Sequence, residues 1–141
     1  MKTKIISKIL LSLGLAFVLV SAIPQVHGDS PAIPLVTIHS TGDVPRGKTG
    51  SFVLEMKPPL MFGGMYVNFS VSGTAVPGVD YASLVSPTYI GASGYGVILI
   101  QTLPDPRGSS YRRAYSVVVT LESGLGYALG ESKSAQMMIK P

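Results

Sequence analysis

The chain has 141 residues, no cysteine and no tryptophan, and a formal charge of +4 at pH 7. Without cysteine there is no disulfide frame, thiol nucleophile, cysteine-held zinc or iron–sulfur cluster. The basic surplus is confined to the start: without Lys2, Lys4 and Lys8, eight basic side chains face seven acidic ones, a net of +1 that gives no ground for a nucleic-acid partner.

The first 28 residues read as a secretory signal peptide. Three lysines precede the uncharged run "ILLSLGLAFVLVSAI", and "PQVHG" follows it. The run is short for a membrane span and has no charged stop-transfer block behind it. Cleavage is expected after Gly28, with Val26 at the −3 position, and Ala22 is the second choice. This leaves residues 29–141 as one domain, secreted or periplasmic, without a membrane span after cleavage. About 113 residues suffice for one hydrophobic core.

From there the chain reads as strand after strand. "AIPLVTIH" (32–39) comes first, with Pro34 suggesting an edge. "GSFVLEM" (50–56) alternates, setting Phe52, Leu54 and Met56 on one face. "MYVNFSVS" (65–72) turns Val67, Phe69 and Val71 inward, and the continuous apolar run "GYGVILIQTL" (94–103) reads as a central strand. "AYSVVVTLE" (114–122) sets Val117, Val119 and Leu121 on one face, and "SAQMMIK" (134–140) turns Met137 and Ile139 in. Clusters of Gly, Pro, Asp and Ser separate these runs, and no window carries apolar residues at helical spacing over three turns. Six to eight evenly punctuated strands predict an all-β, antiparallel Greek-key sandwich.

The stretch "VNFSVSGTAVPGVDY" (67–81) resembles the signature of the Calx-beta domain, a core strand running into Gly-Thr-Ala and then Gly-x-Asp-Tyr. "RGKTGSFVLEM" (46–56), "LPDP" (103–106) and "YSVVVTLESGLGYALGESKSAQMMI" (115–139) extend the likeness over nearly all of residues 33–141. The resemblance implies an immunoglobulin-like sandwich of about seven strands. It also implies roles in calcium sensing, cell adhesion or extracellular matrix. In calcium-binding members the ion sits at one end, among carboxylates from several loops. Asp80 and Asp105 keep two of those acids and are the candidate metal residues. The other acidic places fall near Pro45 or Arg46, and on Arg112 and Tyr115. Calcium needs six to eight oxygen ligands, several of them charged, so this set is short.

Three readings of Asp80 follow. It is a surviving, weak calcium ligand; or Arg46 or Arg112 fills the vacated site and pairs with Asp80 and Asp105; or Asp80 caps its own turn after Pro-Gly. The arginine pairing is preferred. Leu60, Met61, Phe62 and Met65 form an apolar stretch in a connection, either a tip that meets a partner or a loop folded back on the sandwich. Arg107, Arg112 and Arg113, with Tyr111 among them, suit an anion or sugar ring but equally a solvated loop.

Nothing points to an enzyme. The mature chain has one histidine, His39, and "GASGYG" (91–96) matches neither a nucleophile elbow nor a dinucleotide fingerprint. "NFS" (68–70) fits a glycosylation sequon inside a strand. The leading expectation is a non-catalytic module for protein or glycan interaction, with no cofactor and its calcium site lost. Alternatives are a self-assembling surface filament or coat subunit pairing through "AIPLVTIH", and a calcium-dependent adhesion module.

Overall fold

A computed structural model describes residues 28, 32–108 and 112–141. The signal peptide, its cleavage site and Tyr111 therefore lie outside the described residues. The alternating runs become strands because their period of two lays one apolar row against a facing sheet. In chain order these are β1 (Leu35–Ser40), β2 (Val44–Pro45), β3 (Thr49–Lys57), β4 (Met65–Val67), β5 (Phe69–Ser72), β6 (Thr88–Ile90), β7 (Tyr95–Gln101), β8 (Tyr115–Leu121), β9 (Ala128–Leu129) and β10 (Ser134–Lys140).

One sheet has the order β7-β3-β1-β9 and the second β2-β10-β8-β5, with β4 and β6 paired as a small annex. Most pairings are antiparallel; β1–β9 and β2–β10 are parallel. Phe52, Leu54, Met56, Ile98 and Ile100 from one sheet meet Phe69, Val117, Val119, Leu121, Met137 and Ile139 from the other, all buried. Among the described residues, every buried apolar side chain lies between Val36 and Ile139. The architecture is an immunoglobulin-like β-sandwich.

The strand count exceeds about seven because long runs are divided and short pieces added. "MYVNFSVS" is cut at Asn68: β4 pairs with β6, whereas β5 pairs with β8. The break is satisfied by a tyrosine. Tyr127 Oη accepts the Asn68 N–H at 3.1 Å and donates to the Glu122 carbonyl at 2.6 Å. The first strand splits in the same way, with β1 in one sheet and β2 in the other.

Two edge assignments are corrected. β1 is interior, since β3 flanks one side and β9 the other. Bonds from Gly130 N–H to the Val36 carbonyl and from the Ile38 N–H to the Ser132 carbonyl extend that cover. β7, the continuous apolar run, is the edge strand. Its outward residues Tyr95, Val97 and Leu99 are exposed, so the run is apolar on both faces without being buried on both. The edge is bracketed by neighbouring segments, with the Gln101 carbonyl bonded by the Ala82 N–H and the Tyr95 carbonyl by the Gly91 N–H. Such bracketing limits edge-to-edge pairing.

Tyr127→Phe removes one hydroxyl that serves two backbone groups. It is expected to lower unfolding stability by about 1–2 kcal/mol in urea titrations, whereas Leu99→Ala on the outer face of β7 should change it by less than about 0.5 kcal/mol.

Candidate functional site

At one end of the sandwich, three connections converge on Asp80. The chain turns between Val76 and Tyr81, held by bonds from the Val79 and Asp80 N–H groups to the Val76 carbonyl and from the Gly78 N–H to the Tyr81 carbonyl. Gly78 has φ +80°, a left-handed conformation that glycine adopts freely. The turn buries the Asp80 side chain completely. Its carbonyl accepts the Leu103 N–H at 2.9 Å, tying the turn to the segment leaving β7.

A buried carboxylate needs donors, and this one has four contacts. Oδ2 accepts the Val76 N–H at 2.7 Å and Arg107 Nη2 at 2.8 Å. Oδ1 accepts Arg107 Nη2 at 2.9 Å and also Arg46 Nη2. Two donors on each oxygen is about the full capacity of a carboxylate. Burial by itself pushes the Asp80 pKa up; the Arg107 and Arg46 bonds and the Val76 N–H outweigh it and hold it below the usual carboxylate value. Asp80 in turn raises the Arg107 pKa.

Asp105 forms the outer half of the cluster. Its carboxylate lies 3.5 Å from Arg46 Nη2 and 3.5 Å from Arg107 Nη1, and it accepts the Arg107 backbone N–H at 3.1 Å. Arg46 Nη1 also donates to the Leu103 carbonyl at 3.0 Å. The Tyr115 ring, at the start of β8, lies below both guanidinium groups, 4.2 Å from Arg107 and 5.6 Å from Arg46. These distances suit cation–π attraction. Arg46 is one-tenth exposed and Arg107 about one-quarter.

Arg46 and Arg107 are thus the arginines that meet Asp80. Arg112 is exposed and makes no ion pair with Asp80 or Asp105; it lines a neighbouring cavity of about 260 Å³ together with Arg46, Asp105, Gly108 and Pro141. The reason is local. The Arg107 N–H bonds to Asp105 two residues back, curling the chain so that the Arg107 side chain reaches Asp80. Arg113 is also exposed. Sequence reasoning placed Arg107 only in the exterior arginine loop; its position two residues after Asp105 was the available signal.

The apolar stretch 60–65 stands at the opposite end and divides. Leu60 and Met65 are half-buried against the core, so they are not part of an exposed tip, whereas Met61 and Phe62 are each 88% exposed. His39 is exposed on the outer face of the first sheet, opposite Val53.

Among the described residues no group of three or more His, Cys, Asp or Glu is placed to hold a metal. Both Asp80 oxygens are already engaged by N–H donors, and the nearest added charges are cationic. This arrangement fits guanidinium; a calcium ion takes six to eight oxygen ligands, and the described site offers two carboxylates.

Comparison with solved structures identifies the fold. The chain superimposes on CBD12 from CALX1.2 with a TM-score of 0.59 and 13% identity, over 74% of this chain and 44% of that one. The chain has a Calx-beta-like fold. The apo-form Calx CBD1 domain gives a TM-score of 0.57 at 12% identity, covering 75% of this chain and 96% of that domain. The calcium binding domain CBD12 of CALX1.1 gives 0.53 at 13%, covering 73% and 43%. This chain thus spans less than half of the two CBD12 structures. No family model and no curated protein matches the sequence.

Arg46→Ala, which strips one donor from a buried carboxylate, is expected to cost on the order of 3 kcal/mol in chemical unfolding, while Arg112→Ala should stay within about 0.5 kcal/mol of the parent. The lowered Asp80 pKa sets a pH dependence. Its contribution is fully present above the unfolded-state value near 3.9 and is lost as pH falls through the lower folded-state value. Urea midpoints taken from pH 6 down to pH 2.5 should therefore fall more steeply for the parent than for Asp80→Asn.

Proposed function

We propose that the chain is an exported, non-catalytic interaction module whose Calx-beta-like calcium end is held together by arginine in place of an ion. The observation that carries this reading is the pair of guanidinium groups, Arg46 and Arg107, on the buried Asp80 carboxylate. A bound ion in this position would link loops by accepting oxygens from each. Here the bonds run the other way: two cationic side chains, anchored before β3 and after β7, donate to one central acid. The loops are joined with no ion to supply.

Partner binding belongs to the same end, on the loops at 43–48, 78–82 and 105–113. Arg46, Arg107 and Arg112 set three positive charges against the two of Asp80 and Asp105, and the cavity between Arg46 and Arg112 suits an acidic group of a protein or glycan. Assembly into a filament through the first strand has no support, because β1 is covered on both sides. Export rests on the basic, apolar and small-residue pattern of residues 1–28.

Thermal unfolding of residues 29–141 in excess EGTA and in millimolar calcium tests the reading. A ligand at a hundred times its dissociation constant adds about 2.7 kcal/mol, several degrees for a domain of this size. The expected result is an unchanged midpoint; an upward shift of several degrees with calcium would overturn the proposal.

A further inference from the structure

The end opposite the arginines carries a second feature, independent of the first. The loop from β3 to β4, "PPLMFGG" (58–64), has its feet fixed by Leu60 and Met65 on the core. Between them Met61 and Phe62 project, each 88% exposed. Two glycines impose this shape. Gly63 has φ +73°, and a Cβ at Gly64 would lie 2.2 Å from the Ile90 carbonyl, so the chain passes close over β6 and pushes Phe62 outward. The β8–β9 connection reaches the same end, since the Met65 methyl lies against Gly126; Leu125 at its tip is 96% exposed. Ile33, 66% exposed, joins them just ahead of β1, whose first residue Leu35 pairs with Lys57 at the end of β3. The tip segments 58–64 and 123–126 contain no charged residue.

Protruding apolar tips suit a soft apolar phase better than a shaped protein surface, because each convex side chain would need its own pocket in a rigid partner. The path of the chain favours one such phase. The uncharged run ending at Ile23 is joined to Leu35 by eleven residues, at most about 40 Å when extended, and it meets the fold at this end. While that run is lodged in a bilayer during export, this end of the fold is held within that reach of the membrane. We propose that Met61, Phe62 and Leu125 seat the domain on a lipid bilayer, inserting their side chains at the boundary between headgroups and acyl chains. The tips are uncharged, so zwitterionic lipid suffices and added salt leaves binding in place.

The absence of tryptophan makes the test direct. Residues 29–141 contain the whole core, and Phe62→Trp in that chain, mixed with phosphatidylcholine vesicles, should show blue-shifted emission that brominated acyl chains quench. Ala114→Trp at the arginine end should show neither. Met61→Ser with Phe62→Ser should reduce co-sedimentation with vesicles by about tenfold or more while leaving the urea midpoint unchanged, since both side chains are already in water. An unshifted Phe62→Trp spectrum would overturn the proposal. So would vesicle binding indifferent to the double serine variant, or tip-dependent self-association without lipid.

Discussion

A charged carboxylate with no solvent contact is the constraint around which one end of this molecule is arranged. Removing Asp80 from water is unfavourable by several kcal/mol unless donors replace the lost hydration. The replacement comes from three places far apart in sequence: its own turn through Val76, the start of β3 through Arg46, and the segment after β7 through Arg107. Because the three donors are needed together, the loops that carry them cannot drift independently. The Leu103 carbonyl on Arg46 and the Leu103 N–H on the Asp80 carbonyl close the same circle through the backbone. Order at this end is thus a consequence of burial and not a property of any one loop.

The choice of arginine follows from the same constraint. Lysine would bring a compact, strongly hydrated charge into a site from which water is excluded, whereas guanidinium gives up its hydration more easily and offers several N–H groups in a plane. Tyr115 supplies a flat ring beneath both guanidinium groups, so each is met by an acid on its edge and by a π face.

Much of this was legible in the sequence, for reasons that can be stated. Burial alternates with period two along β3 and β8, so Phe52, Leu54, Val117 and Val119 were readable as core without knowing which strands are neighbours. Edges were not readable in this way. "GYGVILIQTL" is apolar on both faces, the pattern of a central strand, yet it lies at the margin because segments at Ala82 and Gly91 take the place of a neighbouring strand at each end. Pro34 signalled an edge that the chain later covers with β9, a pairing between residues about ninety positions apart. At the site, the acids Asp80 and Asp105 and the nearby arginines were legible, but not which arginine turns inward. That turns on one bond, from the Arg107 N–H to the Asp105 carboxylate, that curls the chain toward Asp80.

The two ends of the sandwich solve opposite problems with the same β-strand frame. At the arginine end, polar groups are buried and must find one another, so the loops are specified by directional bonds and tolerate little change. At the other end, apolar groups are exposed and nothing in the described chain covers Met61, Phe62 or Leu125. Holding such side chains outward requires a loop that cannot collapse onto the core, which the anchors Leu60 and Met65 and the close approach of Gly64 to β6 provide. The buried apolar set runs from Tyr81, beside Asp80, to Tyr127, beside Gly126, so one core joins the two ends. A loss of donors at the arginine end is therefore felt by the whole sandwich, whereas the exposed tips can change without touching the core.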